Sequence, residues 1–256
     1  MGAEPLAPEA DAIAAALETS DHLLISAAPD PALGEAQGGD PLLSAARGAA
    51  AAAAGRLRWA GYLSTTGVYG DHGGAWIDEG APRAPATERG RWRVRAEDAW
   101  GALARETGLP LHVFRLAGIY GPGRGPFSKV RAGTARRIVK PGQVFSRTHV
   151  EDIATVLAAS IARPNPGAAY NVCDDLPAPP QDVIAHAAEL LGLAPPPEVS
   201  FEEAKAEMSP MAVSFYAESK RVSNARIKEE LGVALAYPTY REGLAALLAA
   251  ERAAEG

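Results

Sequence analysis

The 256 residues are 47% hydrophobic and 22% charged, enough chain for one sizeable core or for a large domain with a smaller lobe. A net charge of −6, with the 25 Lys and Arg scattered, gives no basic field for a nucleic-acid partner. A single cysteine, Cys173, excludes an internal disulfide framework and suits a reducing compartment. It reads as a small hydrophobe after a strand.

No run approaches the roughly 18 apolar residues of a membrane span, and Met1-Gly2-Ala3-Glu4-Pro5 lacks the basic and apolar parts of a signal peptide. A cytoplasmic protein with no membrane partner and no metal site is expected. Pro8 to Thr19 reads as a short helix with Ile13, Ala16 and Leu17 on one face. His22-Leu23-Leu24-Ile25-Ser26 is a continuous apolar run too short for a helix, as in strands buried on both faces. Pro29 to Asp40 is a Gly/Pro-rich loop, and Leu42 to Ala54 an alanine-dominated helix. Gly61 to Thr65 and Leu111 to Leu116 are strands flanking a long helix, Arg89 to Thr107. This alternation predicts an α/β fold with a parallel sheet, whose right-handed crossovers gather the strand C-termini along one edge.

After Gly121-Pro122-Gly123 the segments shorten and prolines cluster. Asp152 to Ala162, Gln181 to Leu191, Ser223 to Leu231 and Tyr240 to Arg252 read as helices, with Ala169 to Val172 a short strand. These describe a smaller lobe folded over the sheet edge.

Four patterns occur in order: Leu63-Ser64-Thr65-Thr66-Gly67-Val68-Tyr69-Gly70; Phe114 through Leu116-Ala117-Gly118-Ile119-Tyr120 to Gly123; Arg147-Thr148-His149-Val150-Glu151-Asp152; and Tyr170-Asn171-Val172 with the closing Lys220-Arg221 to Leu231-Gly232 stretch. Together they resemble the extended short-chain dehydrogenase/reductases, the NAD-dependent epimerase/dehydratases, and more narrowly their atypical members. The resemblance covers Glu4 to Leu248. It implies a Rossmann-like parallel sheet with helices on both faces and a small C-terminal lobe. Residues 1–122 would be a partial dinucleotide-binding region, and residues 123–256 the remaining sheet elements and substrate lobe. It also implies NAD or NADP as cofactor and a small polar or nucleotide-linked substrate.

Carried over position by position, the resemblance puts the hydroxyl that bonds the reacting oxygen on Thr65, with Thr66 beside it. The alternative is that both threonines only cap the turn. Leu116, Ala117 and Gly118 match the loop under the nicotinamide, where small residues allow a flat ring close approach, and Ala27 and Ala28 match a loop touching the cofactor's centre. Close packing at a strand end is the competing reading for these. Arg147 and His149 match positions near the substrate, where an arginine can fork onto a phosphate. A buried hydrogen bond ahead of the helix is the other reading of His149, and a helix cap that of Asp152.

Two departures stand out. Counting back from Glu97, the family's tyrosine acid and the lysine four residues on fall on Arg89 and Arg93. A guanidinium cannot shuttle a proton near neutrality, so Arg89 cannot do a tyrosine's work, although Arg93 could contact ribose or phosphate. A solvated basic helix start is the plainer reading of this segment. The second departure is the missing strand–glycine-rich turn–helix that receives the pyrophosphate: Gly34, Gly38 and Gly39 lie in a loop with no strand entering. The chain then begins at the family's third strand, near Glu4-Pro5-Leu6, the first two strands are missing, and His22–Ser26 becomes a fourth strand with an open edge. An internal start, with about 40 further residues upstream, is the expectation. Three functions follow: an NAD(P)-linked oxidoreductase, epimerase or dehydratase; a non-catalytic nucleotide-binding or regulatory module; or a partner-completed protein such as a homodimer.

Overall fold

Residues 9–255 are described by the computed structural model, and the apolar runs become strands of one parallel sheet. In chain order, α1 (Ala10–Thr19), β1 (His22–Ile25), α2 (Pro41–Ala53) and β2 (Trp59–Thr65) precede a short β3 (Trp76–Ile77), α3 (Glu88–Thr107), β4 (Leu111–Leu116) and β5 (Gly118–Tyr120). Then come α4 (Phe127–Arg131), β6 (Arg137–Val139), β7 (Arg147–His149), α5 (Val150–Ala162) and β8 (Ala169–Val172). The chain closes through α6 (Pro180–Leu190), β9 (Glu198–Ser200), α7 (Phe201–Lys205), α8 (Pro210–Phe215), β10 (Arg221–Val222), α9 (Ala225–Leu231) and α10 (Tyr240–Glu255).

The main sheet has the order β1-β2-β4-β8, all parallel, with Ile25 opposite Tyr62, Thr65 opposite Leu116 and Leu116 opposite Val172. All four strands therefore end along one edge. Side chains alternate across it as period two requires: Ala60 and Tyr62 pack with Ile13, Leu43, Trp100 and Leu103 of α1, α2 and α3. Trp59, Phe114 and Leu116 pack instead with Ile153, Val156, Ile227 and Leu231 of α5 and α9. Gly61 is a packing requirement, because a Cβ there would lie 2.1 Å from the Trp59 indole. That indole donates to Ser160 Oγ of α5 at 3.0 Å.

Local chemistry sets the helix ends. The Asp40 carboxylate accepts Leu43 N–H at 2.9 Å to cap α2, with Pro41 at its first position. Thr87 caps α3 through Gly90 N–H, and Gly108, at φ +75°, stops it. The outer edge of β8 is covered by side chains: Glu79 accepts Asn171 N–H at 2.7 Å and Arg226 donates to Ala169 O at 3.1 Å. Among the described residues no strand pairs with the outer edge of β1. The expected strand near Glu4-Pro5-Leu6 lies outside the described residues.

In the smaller lobe β5 pairs with β7 and β6 with β9, over a separate core that includes Phe127, Val130, Val183, Ala187 and Leu244. One expectation is corrected here. Asp152 does not cap α5; His149 does, its Nδ1 accepting Glu151 N–H at 3.3 Å. Asp152, inside the first turn, instead accepts Ala236 N–H and Tyr237 N–H at 2.7 and 3.1 Å, tying the segment before α10 to α5. A carboxylate in the first turn also complements the helix dipole.

Candidate active site at the strand ends

Beyond Ile25, Ala27 and Ala28 are exposed. Thr65 closes β2, and its Oγ1 accepts Gly67 N–H at 3.2 Å, capping a single 3-10 turn that starts at the half-buried Thr66. Capping is thus one role of Thr65; a hydroxyl is donor as well as acceptor, so its O–H is left for a second partner. Leu116 and Ala117 are buried, and Ala117 N–H donates to Val172 O at 3.0 Å. Gly118 is exposed and pairs with Arg147 across the β5–β7 ribbon. A Cβ at Gly118 would meet Ser146 O at 3.4 Å and Arg147 Cγ at 3.8 Å, ordinary contact. The chain's own packing does not require glycine there, and its open face suits a flat group lying on the backbone.

Arg93 is not part of a solvated basic face. It is 8% exposed, and its Nη1 donates to Ala27 O, Tyr62 OH and Leu63 O at 3.3, 3.0 and 2.9 Å. Among the described residues no carboxylate lies in ion-pair contact with it. The guanidinium therefore joins the loop after β1 to the end of β2, bringing together two of the residues expected to meet the cofactor. The reason is helical spacing: Arg93, Ala96, Glu97 and Trp100 share the face that α3 turns to the sheet. Arg89, by contrast, is exposed in the first turn of α3 and joins none of these contacts. Tyr62 does not replace the missing acid: it is fully buried, and burial pushes its hydroxyl up to about 12 despite the neighbouring Arg93.

Beneath the strand ends lies a buried polar network. Arg115 forks onto Glu97 (Nη2 to Oε2 2.9 Å, Nε to Oε1 3.2 Å), and Ser64 donates to the same carboxylate. Arg115 also donates to Tyr69 OH at 2.9 Å, which donates to Asn171 Oδ1 at 2.7 Å. The network locks β2, β4 and β8 to α3 and accounts for Glu97 structurally.

In the lobe, Arg147 donates twice from Nη1, to Phe145 O and Ala178 O at 3.0 Å each, and its cation lies 6.0 Å from the Tyr240 ring. Burial pulls its pKa down, opposed by Asp174. His149 is 1% exposed; its Nδ1 bond is the structural role expected of it, while Nε2 has no partner among the described residues, and burial lowers its pKa. Two residues that the sequence reading did not single out join this group. Tyr120 is opposite His149 in the ribbon, rings edge-on at 5.2 Å, with an unpartnered buried hydroxyl. Asp174, 2% exposed, has an unpartnered Oδ2 and is pushed up to about 7 by burial, Arg147 opposing. A carboxylate two residues past a parallel strand's C-terminus is the signal that could have found it. One cleft of about 320 Å³ lies just past the end of β8, lined by Asp174, Asn224 and Lys228, and another of about 500 Å³ lies between Asp182, His186 and Arg241.

A parallel sheet with helices on both faces, polar groups along its carboxyl edge and a lobe beside that edge define a Rossmann-like fold. Among solved structures, the dTDP-glucose 4,6-dehydratase of Bacillus anthracis in complex with NAD superposes with a TM-score of 0.77. It is 16% identical, and the match covers 97% of this chain and 78% of that one, a likeness of fold. A functionally unknown conserved protein from Silicibacter pomeroyi is 61% identical, with a TM-score of 0.83 over 98% of this chain and 81% of that one. The chain belongs to the family of that conserved protein. Protein YeeZ of Escherichia coli K12 is 33% identical over 180 residues, 69% of this chain, and this chain spans 58% of the length of that curated relative. No protein-family model matches the chain.

Proposed function

We propose that the protein is an NAD(P)-dependent oxidoreductase of the epimerase/dehydratase kind, acting on a small polar or nucleotide-linked substrate that carries an anionic group. The observation that carries this reading is Gly118: exposed at the carboxyl edge, not required to be glycine by the chain's own packing, and joined in the ribbon to a half-buried arginine. The bound cofactor would supply a hydride acceptor or donor. Ala117 and Gly118 would form the floor under the nicotinamide, Thr65 would donate its remaining O–H to the reacting oxygen, and Arg93 would fix the Ala27–Ala28 loop beside the cofactor. Arg147 would hold the substrate's anion. The N-terminus of α2 is closed to a pyrophosphate by Asp40's own carboxylate, so this helix is not the phosphate cradle.

The test is titration with NADH and NADPH, followed by reduced-cofactor oxidation across carbonyl substrates, in the protein and in Gly118→Val and Thr65→Ala. Binding lost in Gly118→Val, with turnover but not binding lost in Thr65→Ala, supports the assignment. Unchanged behaviour of both variants refutes it. A second reading, nucleotide binding without turnover, is favoured by the exposed Arg89 and the sealed Tyr62, which leave no tyrosine acid at the expected place. It predicts saturable binding with no hydride transfer.

A further inference from the structure

The group around Arg147 has a surplus of hydrogen-bond donors. A guanidinium carries five N–H groups, and both bonds made by Arg147 leave from Nη1 and end on carbonyls. Among the described residues no carboxylate is in ion-pair contact with it. The Tyr120 hydroxyl is buried without a partner. Asp174 Oδ2 is likewise buried without a partner, and an uncharged carboxyl adds a further O–H donor. These groups are held close by the backbone: Asp174 N–H donates to Arg147 O at 2.7 Å, and Tyr120 lies two residues along β5 from Gly118, the register partner of Arg147. The Tyr120 hydroxyl is a buried donor that is expensive to leave unmatched, and an oxygen-rich anion would accept from it, from the free nitrogens of the half-buried Arg147 and from a protonated Asp174.

We propose that Arg147, Tyr120 and Asp174 form a proton-linked oxyanion site, in which binding a carboxylate- or phosphate-type group draws a proton from solvent onto Asp174 wherever that carboxyl is ionised beforehand. This rests on the reading of Arg147 given above and deepens it. An ionised Asp174 turns from donor to acceptor; it then competes with the ligand for Arg147 and repels the anion. The titratable and charged groups around Asp174 are Arg147 of β7, Tyr120 of β5 with His149 of β7 packed edge-on against it, Asp152 of α5, the adjoining Cys173 and Asp175, and Lys228 of α9, which is itself bonded to Asp175. Two of these carboxylates add to burial in disfavouring the Asp174 anion, and Arg147 is the main opposing charge.

Sulfate and acetate serve as probes because each keeps its charge on both sides of neutrality, so any pH dependence belongs to the protein. Sulfate stands for phosphate groups and acetate for carboxylates; the stronger of the two tells which source the site prefers. The measurement is calorimetric titration from about one pH unit below to about one and a half above neutrality, in two buffers of different ionisation enthalpy. The full chain is expected to bind with an affinity that falls up to about tenfold per pH unit on the alkaline side, taking up close to one proton per anion there. Asp174→Asn, which keeps a donor but cannot titrate, is expected to bind with pH-independent affinity and no proton uptake. Arg147→Gln is expected to lose binding.

PH-independent affinity in the unaltered protein, with binding lost in Arg147→Gln, overturns the proton linkage alone. Affinity retained in Arg147→Gln overturns the Arg147 assignment as well. No binding of either probe at any pH overturns the site. The proton count needs only the unaltered protein, so a variant that fails to fold does not remove the test.

Discussion

Replacing Arg93 by alanine removes one nitrogen, Nη1, that serves three acceptors at 2.9–3.3 Å. Ala27 is exposed, and water can satisfy its carbonyl. Tyr62 OH is in a fully buried residue and Leu63 O in a half-buried one, so these two lose their donor without ready replacement. An unsatisfied buried group costs about 1–3 kcal/mol. Relief of the desolvated guanidinium offsets part of this, leaving a net loss of roughly 2–3 kcal/mol. For a chain of this size that lowers Tm by about 5–10 °C. Arg93→Lys supplies one nitrogen on a stem one atom shorter, and is expected to recover part of the loss. The assay is thermal unfolding followed by circular dichroism, with urea unfolding as a check on cooperativity. An Arg93→Ala protein melting within about 2 °C of the unaltered one refutes the reasoning, because it would show that the bridge between the β1 loop and β2 carries no load.

Removing Glu97 as Glu97→Ala strands the buried Arg115 guanidinium; a loss of about 3–5 kcal/mol in urea unfolding is expected, and a loss below about 1 kcal/mol would contradict the fork. Asp174 makes stability depend on pH with a definite sign. Its folded value of about 7 lies above the unfolded value near 3.8, so the folded state holds the extra proton, and stability declines as pH rises through that interval and levels off above it. The full swing is about 4 kcal/mol at most; Asp174→Asn should flatten it, and an identical pH profile in both proteins would refute the buried-carboxyl assignment. Gly118→Ala meets only ordinary contacts, so its Tm should stay within about 2 °C of the unaltered protein; a larger drop would show that the chain itself requires glycine there.

The strands that carry the site were legible because each is a short, largely apolar run bounded by turn signals, as in Leu111–Leu116 and Ala169–Val172. The β5–β7 ribbon was not: three residues per strand give too few alternations to read, and its pairing joins segments nearly 30 residues apart. The four arginines between Arg89 and Arg95 look alike in composition, yet one is buried under the sheet. Helical spacing to Ala96, Glu97 and Trp100 separates Arg93 from Arg89, and that pattern was present in the sequence. Asp174 is different in kind. Its place two residues past β8 marks it as an edge carboxylate, but its burial depends on the β5–β7 ribbon and on the segment before α10, where Pro238 O accepts Asp175 N–H at 2.8 Å, so the burial has no local signal.

The most direct test of the account is saturation-transfer NMR with NADH and NADPH on the full chain and on Gly118→Val. The account predicts that the nicotinamide protons receive magnetisation in the unaltered protein and lose it in Gly118→Val while the variant remains folded. Transfer that is equal in the two proteins, or confined to the adenine protons, would contradict a nicotinamide site on Ala117–Gly118.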